Sequence, residues 1–421
     1  MGRALEAVSP SRMGGGFRIL LGSSWLTNLG DGIALSAGAL LVESQTASAS
    51  LVALSWVLQR LPWLLFGLFA GVVADRLDRR LIIVVANLLR VVLLGLLASA
   101  IGLGDVDLYL IFGVLFLLGS AEVFADNTTD TLLPMLVEPA DITLGNARLI
   151  FGSTTLNQLA GPALGGVLFA AGVWIPFVAQ GVLVALGAVL ISRLRLSSRV
   201  GAQDSAPSKG SVRSEIVEGM RWLWSNPPMR TLVLTILSFN VTFGAAWAVL
   251  VVLATDRLGL GPAGFGVLTS VTAVGAVVGA AAYGRLEQWV SLANLMRAGL
   301  IIETLTHLGL ATTTMAWQAM VILFVFGVHT SIWGTTSRSV RQRAVPIELQ
   351  GRVGSVHGMG LHGGLVVGAL LGAVIAGVWG VTGPFWFAFA GSAVILVLIW
   401  RQLEHIAHAG DVDDQRPVAR S

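Results

Sequence analysis

Long apolar stretches separated by short polar breaks fill almost the whole chain. A helix that spans a bilayer needs roughly 20 mostly apolar residues. The pattern predicts twelve such helices, at 18–42, 50–74, 81–103, 107–133, 143–171, 174–195, 229–254, 263–284, 293–315, 317–340, 351–378 and 382–401. The fourth and tenth are the least uniform, with several polar residues near their ends. The predicted fold class is therefore an all-α membrane protein. Arg3, Arg12 and Arg18 precede a first apolar stretch too long for a signal peptide and without a small-residue cleavage site, so this helix is expected to be retained as an anchor.

Arginine placement predicts the orientation. Arg76, Arg79, Arg80, Arg193, Arg195, Arg199, Lys209, Arg213, Arg285, Arg341 and Arg343 fall in alternate breaks, whereas the opposite set holds only Arg257. By the positive-inside rule both termini are expected in the cytoplasm, which requires an even helix count. The expected organisation is a cytoplasmic N-terminus (1–17), a six-helix bundle (18–196), a linker (197–228), a second six-helix bundle (229–402) and a cytoplasmic tail (403–421), polar from Gly410 and expected to be disordered. Within the linker, Ile216, Met220, Leu223 and Trp224 share one helical face, which predicts a short amphipathic helix at the membrane surface.

Composition agrees with a bilayer as solvent. Hydrophobic residues make up 55% and charged residues 12%, against about 25% charged in a typical soluble domain. The 51 glycines suit close packing of membrane helices. The absence of cysteine excludes disulfides, Cys-ligated zinc and thiol catalysis. The net charge of +3 comes from arginines between apolar segments, not from one basic face, so a nucleic-acid partner is not expected.

The halves repeat in register. Pro139-Ala-Asp-Ile142 corresponds to Pro346-Ile-Glu-Leu349, Gly161-Pro-Ala-Leu-Gly-Gly166 to Gly368-Ala-Leu-Leu-Gly-Ala373, and Thr128-Thr129 to Thr335-Thr336, all at one offset. Arg76-Leu-Asp78 and Arg285-Leu-Glu287 match at a slightly longer one. Duplication of a six-helix unit follows.

Two motifs carry a resemblance. After helix two stands Gly71-Val-Val-Ala-Asp75-Arg76-Leu-Asp78-Arg79-Arg80. Physically, Gly71 would let helices two and eleven approach, Asp75 would accept from the helix N-terminus near Gly351, and Arg76, Arg79 and Arg80 would pair with carboxylates such as Asp130. The segment resembles the cytoplasmic loop motif of the major facilitator superfamily, with Asp78 where the general pattern has glycine. That departure, together with Asn28-Leu-Gly-Asp-Gly32 and Arg60 before Leu61-Pro62, is similar to the macrolide-efflux and enterobactin-exporter branch. The second motif, with Gly161, Pro162, Gly165 and Gly166, resembles the one that marks antiporters, although Asn157 stands where an upstream glycine is usual. The resemblance spans nearly the whole chain. It implies two parallel six-helix repeats and export in exchange for protons.

Ionisable groups at membrane depth are functional candidates. Asp31, Arg60, Arg90, Glu122, Asp126 and Arg148 occupy the first half, and Glu303, His307, His329, His357 and His362 the second. Asp31 beside Arg60 is the expected proton carrier, with Glu122 second and Asp126 and Arg148 as further coupling candidates. Glu303 and His307, one turn apart, are expected to pair. The histidines have no recognised ligand spacing, so no metal is expected. Of 13 tryptophans, Trp174, Trp222, Trp224, Trp289, Trp317 and Trp379 read as interface anchors. Trp25, Trp56, Trp63, Trp247 and Trp333 lie deeper. Asn28, Asn157, Gln158, Asn240, Trp247, Glu303 and His307 are candidates for a cavity that takes a small amphiphile.

The sequence thus points to a monomeric, cofactor-free secondary transporter of the cytoplasmic membrane, which exports amphiphilic drugs, macrolides or siderophores by alternating access. No phosphate-binding G-x-x-x-x-G-K-[ST] loop is present, so a proton gradient is the expected energy source. A lipid or lysolipid translocator of the same fold, and a receptor or assembly factor without transport, remain as alternatives. An intramembrane enzyme would need a nucleophile with a base or an H-E-x-x-H pair, and neither occurs.

Overall fold

A computed structural model describes residues 11–194 and 212–409. The linker stretch 197–211 and the tail from Gly410 lie outside the described residues. Every regular element among those described is helical. The long helices are α1 (Gly14–Gln45), α2 (Ala49–Arg76), α3 (Arg79–Leu103), α4 (Leu108–Asp130), α5 (142–171), α6 (Ile175–Ser192), α7 (Pro227–Trp247), α8 (Pro262–Trp289), α9 (Leu292–Thr312), α10 (Ala316–Ala344), α11 (Gln350–Trp379) and α12 (Gly383–Ile399). Nine of these are individually long and apolar enough to cross a membrane. The other three have visible causes for falling short. α5 is interrupted, α9 carries Arg297, Glu303 and His307, and α12 is short.

Helix starts follow from side-chain caps. Ser48, Asp78, Asp107, Asn226 and Ser291 each accept a hydrogen bond from the amide three residues on. Each cap satisfies an otherwise orphaned donor. Gly104, at φ 80°, closes α3 in the left-handed region before the turn into α4. The helices lie within a few residues of the predicted spans. The largest differences are at α7, which stops at Trp247 before short helical turns at Leu250–Val252 and Leu253–Arg257, and at α8, which continues to Trp289.

Packing divides the described residues into two units. The first holds the chain up to 194 plus 251–273, and the second holds 212–250 and 274–409. The start of α8 thus groups with the first bundle. The duplication is visible inside each unit. Pro139–Asp141 and Ile347–Leu349 both form a 3₁₀ turn leading into the next helix. Glycines at matching positions hold matching helix pairs together. A Cβ on Gly161 or Gly165 would strike the Gly32 or Ile33 backbone of α1, and a Cβ on Gly368 or Gly372 the Val241 or Ala245 backbone of α7.

The linker helix, Val212–Ser225, packs in the second unit. Its face differs from the predicted one. Leu223 is buried and Ile216 and Trp222 pack on the same core, while Met220 and Trp224 are exposed. Glu218 pairs with Arg352 at 2.6 Å, and Gly219 lies against the Arg352 backbone. These contacts select the buried face. Exposed aliphatic stripes run along the spans, for example Val85, Leu88, Val92 and Leu96 on α3. So large an apolar surface suits lipid and not water. Trp174, Trp224, Trp289, Trp317 and Trp379 are exposed.

Candidate functional site

Asp31 stands between two glycines whose missing side chains determine its surroundings. A Cβ on Gly30 would come within 3.3 Å of Gln180 on α6, and one on Gly32 within 2.8 Å of the Asn157 Cα on α5. The helices of both neighbours therefore pack closely on α1 beside the carboxylate. Gln180 Nε2 donates to Asp31 at 3.3 Å. On α3, Arg90 turns inward with Ile83, Asn87, Leu94 and Leu97, opposite the exposed stripe, and is 1% exposed. Its guanidinium forms an ion pair with Asp31 and also donates to Asn87 Oδ1 at 3.2 Å. Burying a charge without a partner is costly, so the pair, the amide and the asparagine form one mutually dependent group. Satisfaction is still incomplete. Arg90 Nε and Gln180 Oε1 are buried without a partner.

The structure corrects the expected pairing. Asp31 is matched by Arg90 and not by Arg60. Arg60 instead lies over the Trp56 ring, 4.6 Å from its centroid, a cation–π arrangement. Glu122, on α4, interacts electrostatically with Asp31, Arg90 and Arg60. Asp126, one turn on, interacts with Glu122, Asp31 and Arg90. Gly119 allows this: a Cβ there would sit 2.8 Å from the Gln59 carbonyl of α2, beside Arg60. Three carboxylates and two arginines from four helices thus form one electrostatic group in the first unit. Arg148 serves differently. Its carbonyl accepts from Trp25 Nε1 at 3.4 Å, and its Nε is buried without a partner. Sequence reasoning placed Arg90 in the membrane but gave it no role, and passed over Asn87 and Gln180. The spacing of Asn87 and Arg90 with the inward α3 residues was the available signal.

α5 explains the second motif. Ser153–Ala160 is a π-helical turn between Ile142–Gly152 and Gly161–Ala171. Pro162 has no amide hydrogen to donate and its ring would crowd the carbonyl four residues back, and a widened turn accommodates both. Asn157 and Gln158 lie in that turn. The Pro162 carbonyl accepts from Ser36 at 2.8 Å, and the Ala163 amide donates to Ser270 Oγ at 3.1 Å. Gly166 faces the Pro262 backbone, and Gly266 faces that of Pro162.

The loop motif is resolved in part. Asp78 caps α3 by accepting from the Leu81 amide at 3.2 Å, which gives that acidic residue a structural cause. Arg79 donates to the Met135 sulfur at 2.7 Å and Arg80 to the Leu194 carbonyl at 3.2 Å. Arg76 is exposed. A Cβ on Gly71 would meet nothing among the described residues within 4 Å. The Asp75 side chain lies outside the described atoms.

In the second unit Glu303 pairs with His329 at 3.4 Å and not with His307. Gly299, one turn before Glu303, makes the room: a Cβ there would lie 2.8 Å from His329 Nδ1. Two of the cavity candidates donate within their own helices. Asn28 donates to its own helix at Ser24 O, 2.8 Å. Asn240 donates to Ile236 O at 2.7 Å and its Cβ backs on Gly364. Trp247 stacks on Phe243, with centroids 4.2 Å apart. Among the described residues no group of three or more His, Asp or Glu is placed to hold a metal.

The chain is 28% identical over 380 residues to the multidrug efflux pump Tap of Mycolicibacterium fortuitum, covering 85% of this chain and 88% of the relative. It is 23% identical over 368 residues to macrolide efflux protein A of Streptococcus pyogenes, with the same shares. The structure of a bacterial homolog of the human lysosomal transporter Spinster superposes with a TM-score of 0.71 at 14% identity, covering 97% of this chain and all of that one, and so shares the fold. The family model of transmembrane secretion effectors matches residues 6–419, and the chain belongs to that family of membrane transporters, in the macrolide-efflux branch of the major facilitator superfamily.

Proposed function

We propose that this protein is a secondary active exporter of drug-like amphiphiles that exchanges them for protons by alternating access. The observation that carries the reading is the inward-facing Asp31–Arg90 pair, with Glu122 and Asp126 in electrostatic reach. A carboxylate held by an arginine can release that partner when it takes up a proton, and the same carboxylate can then be recharged from the other side of the membrane. Asp31 is the proton carrier in this scheme, and Glu122 on α4 interacts with it electrostatically. The relatives named as multidrug and macrolide efflux pumps support export as the direction and a small amphiphile as cargo. The π turn and glycines of α5 support it too, since such a break lets a helix change its bend without losing its packing. No cofactor enters the scheme, because the ion gradient supplies the free energy. The protein works as a monomer in the cytoplasmic membrane, with both termini inside, in keeping with the arginine asymmetry of its loops.

The test is uncoupler-sensitive efflux from cells depleted of their own pumps. Wild type should lower the retention of a macrolide or dye, and a protonophore should remove the effect. Asp31→Asn, expressed to the same level, should not export. Wild-type efflux by Asp31→Asn would remove Asp31 from the coupling scheme. Protonophore-insensitive efflux by the wild type would remove the proton.

A further inference from the structure

The two units treat their buried carboxylates differently. In the first, Asp31 is matched by an arginine. In the second, the Glu303 side chain is 10% exposed and its ion-pair partner is His329, 2% exposed and charged only when protonated. Among the described residues, the arginines on the helices packed around it lie toward the helix ends, Arg285 included, on α8, which packs on α10 through Gly275 and Gly279. α12, from Gly383 to Ile399, has no ionisable residue. On α9, Arg297 pairs with Glu404 of the terminal helix Gln402–Ala407 at 3.2 Å, more than a turn away from Glu303. On α10, Arg338, Arg341 and Arg343 lie more than two turns beyond His329. On α7, Arg230 donates to the Trp224 carbonyl at the helix start. His329 is the one ion-pair partner recorded for Glu303 among the described residues.

Aromatic rings stand around it. Phe326 lies 4.7 Å from Trp247 and 5.8 Å from Phe243, and 5.9 Å from the His329 ring. His329 in turn lies 6.3 Å from Trp333. Phe243, Trp247 and Trp333 are half-buried, so the cluster is not sealed. A second observation is independent. His307 is 0% exposed, meets Trp247 edge-on at 6.3 Å, and has no hydrogen-bond partner on either ring nitrogen. Buried polar groups are nearly always paired, and an unpaired one raises the free energy of the empty site.

We infer that Glu303, His307, His329 and the Phe243–Trp247–Phe326–Trp333 rings form a binding site in the second unit for lipophilic organic cations. The carboxylate neutralises the charge of the ligand, and the ring faces receive the cation and its apolar substituents. His307 offers a hydrogen bond to a polar group of the ligand. His329, when protonated, competes with the ligand for Glu303. The inference deepens the exporter reading by naming a substrate class, and for transport, though not for binding, it rests on that reading.

The test is equilibrium binding to the full chain in lipid nanodiscs. Tetraphenylphosphonium is the cationic probe and triphenylphosphine oxide the neutral aryl control. Wild type should bind the phosphonium saturably. Glu303→Gln should weaken it by about tenfold or more and leave the neutral probe unchanged. Glu303→Asp should retain most of the affinity. His329→Gln, which keeps the carboxylate and removes its competitor, should bind the cation at least as well as wild type. Phosphonium affinity unchanged in Glu303→Gln, or lost in His329→Gln with the fold intact, overturns the site. If Glu303→Gln fails to fold, the wild-type and His329→Gln results decide. Phosphonium binding without uncoupler-sensitive export would sink the exporter reading and leave this site standing. Export of a neutral macrolide without phosphonium binding would sink the site alone.

Discussion

At the residue scale, the Asp31–Arg90 pair is worth more as a pair than as two side chains. Arg90→Gln leaves a carboxylate at membrane depth with only Gln180 as its hydrogen-bond partner. Breaking a buried pair by removing one member costs about 3–5 kcal/mol, whereas removing both charges costs far less. Arg90→Gln should therefore lower the unfolding temperature in detergent, and Asp31→Asn with Arg90→Gln should recover most of the loss while remaining inactive in efflux. Additive losses in that cycle would mean that the two residues do not stabilise one another. Asp78 belongs to a different class. It caps α3, so Asp78→Ala should cost about 1 kcal/mol of stability. Asp78→Asn should cost little, and neither variant should alter which substrates are exported. A changed substrate profile in either would show that Asp78 does more than cap.

The element scale is where glycine positions separate into two kinds. Gly32, Gly161 and Gly165 bring α1 and α5 into backbone contact, whereas a Cβ on Gly95, inside α3, would meet nothing within 4 Å. Gly95→Ala should be neutral or stabilising, since alanine is the better helix former by about 1 kcal/mol. Gly165→Val should separate α1 from α5 and abolish efflux with a loss of thermal stability. Comparable behaviour of the two variants would contradict the packing described. Helix positions and the α5 motif were legible in the sequence, because apolar length and a proline among glycines each have one physical meaning. The partner of Asp31 was not. In a bilayer both faces of a helix are apolar, so the stripe of Val85, Leu88 and Val92 does not mark α3 as outward in the way it would in water. The expectation therefore fell on Arg60, and only helix rotation in the folded bundle brings Arg90 to Asp31 instead. The Glu303–His307 expectation failed for a related reason. A one-turn spacing allows contact, but Gly299 gives His329 of α10 the nearer approach.

For the whole molecule, the duplication seen in the sequence returns as two units with equivalent glycine contacts and equivalent 3₁₀ turns. Their polar interiors have diverged. The first holds three carboxylates against two arginines, and the second a single carboxylate with histidines and aromatic rings. Charge of that kind inside a bilayer is retained where it handles ions or cargo. The division suits an exporter in which one unit carries the proton and the other meets a large share of the substrate. The most direct test is proton movement coupled to substrate in proteoliposomes loaded with a pH-sensitive dye. Addition of an exported macrolide to energised wild-type vesicles should produce a saturable proton flux opposite to the drug. Asp31→Asn vesicles should bind the drug and move no protons. A macrolide flux with no accompanying proton flux in the wild type, or an undiminished proton flux in Asp31→Asn, would contradict it.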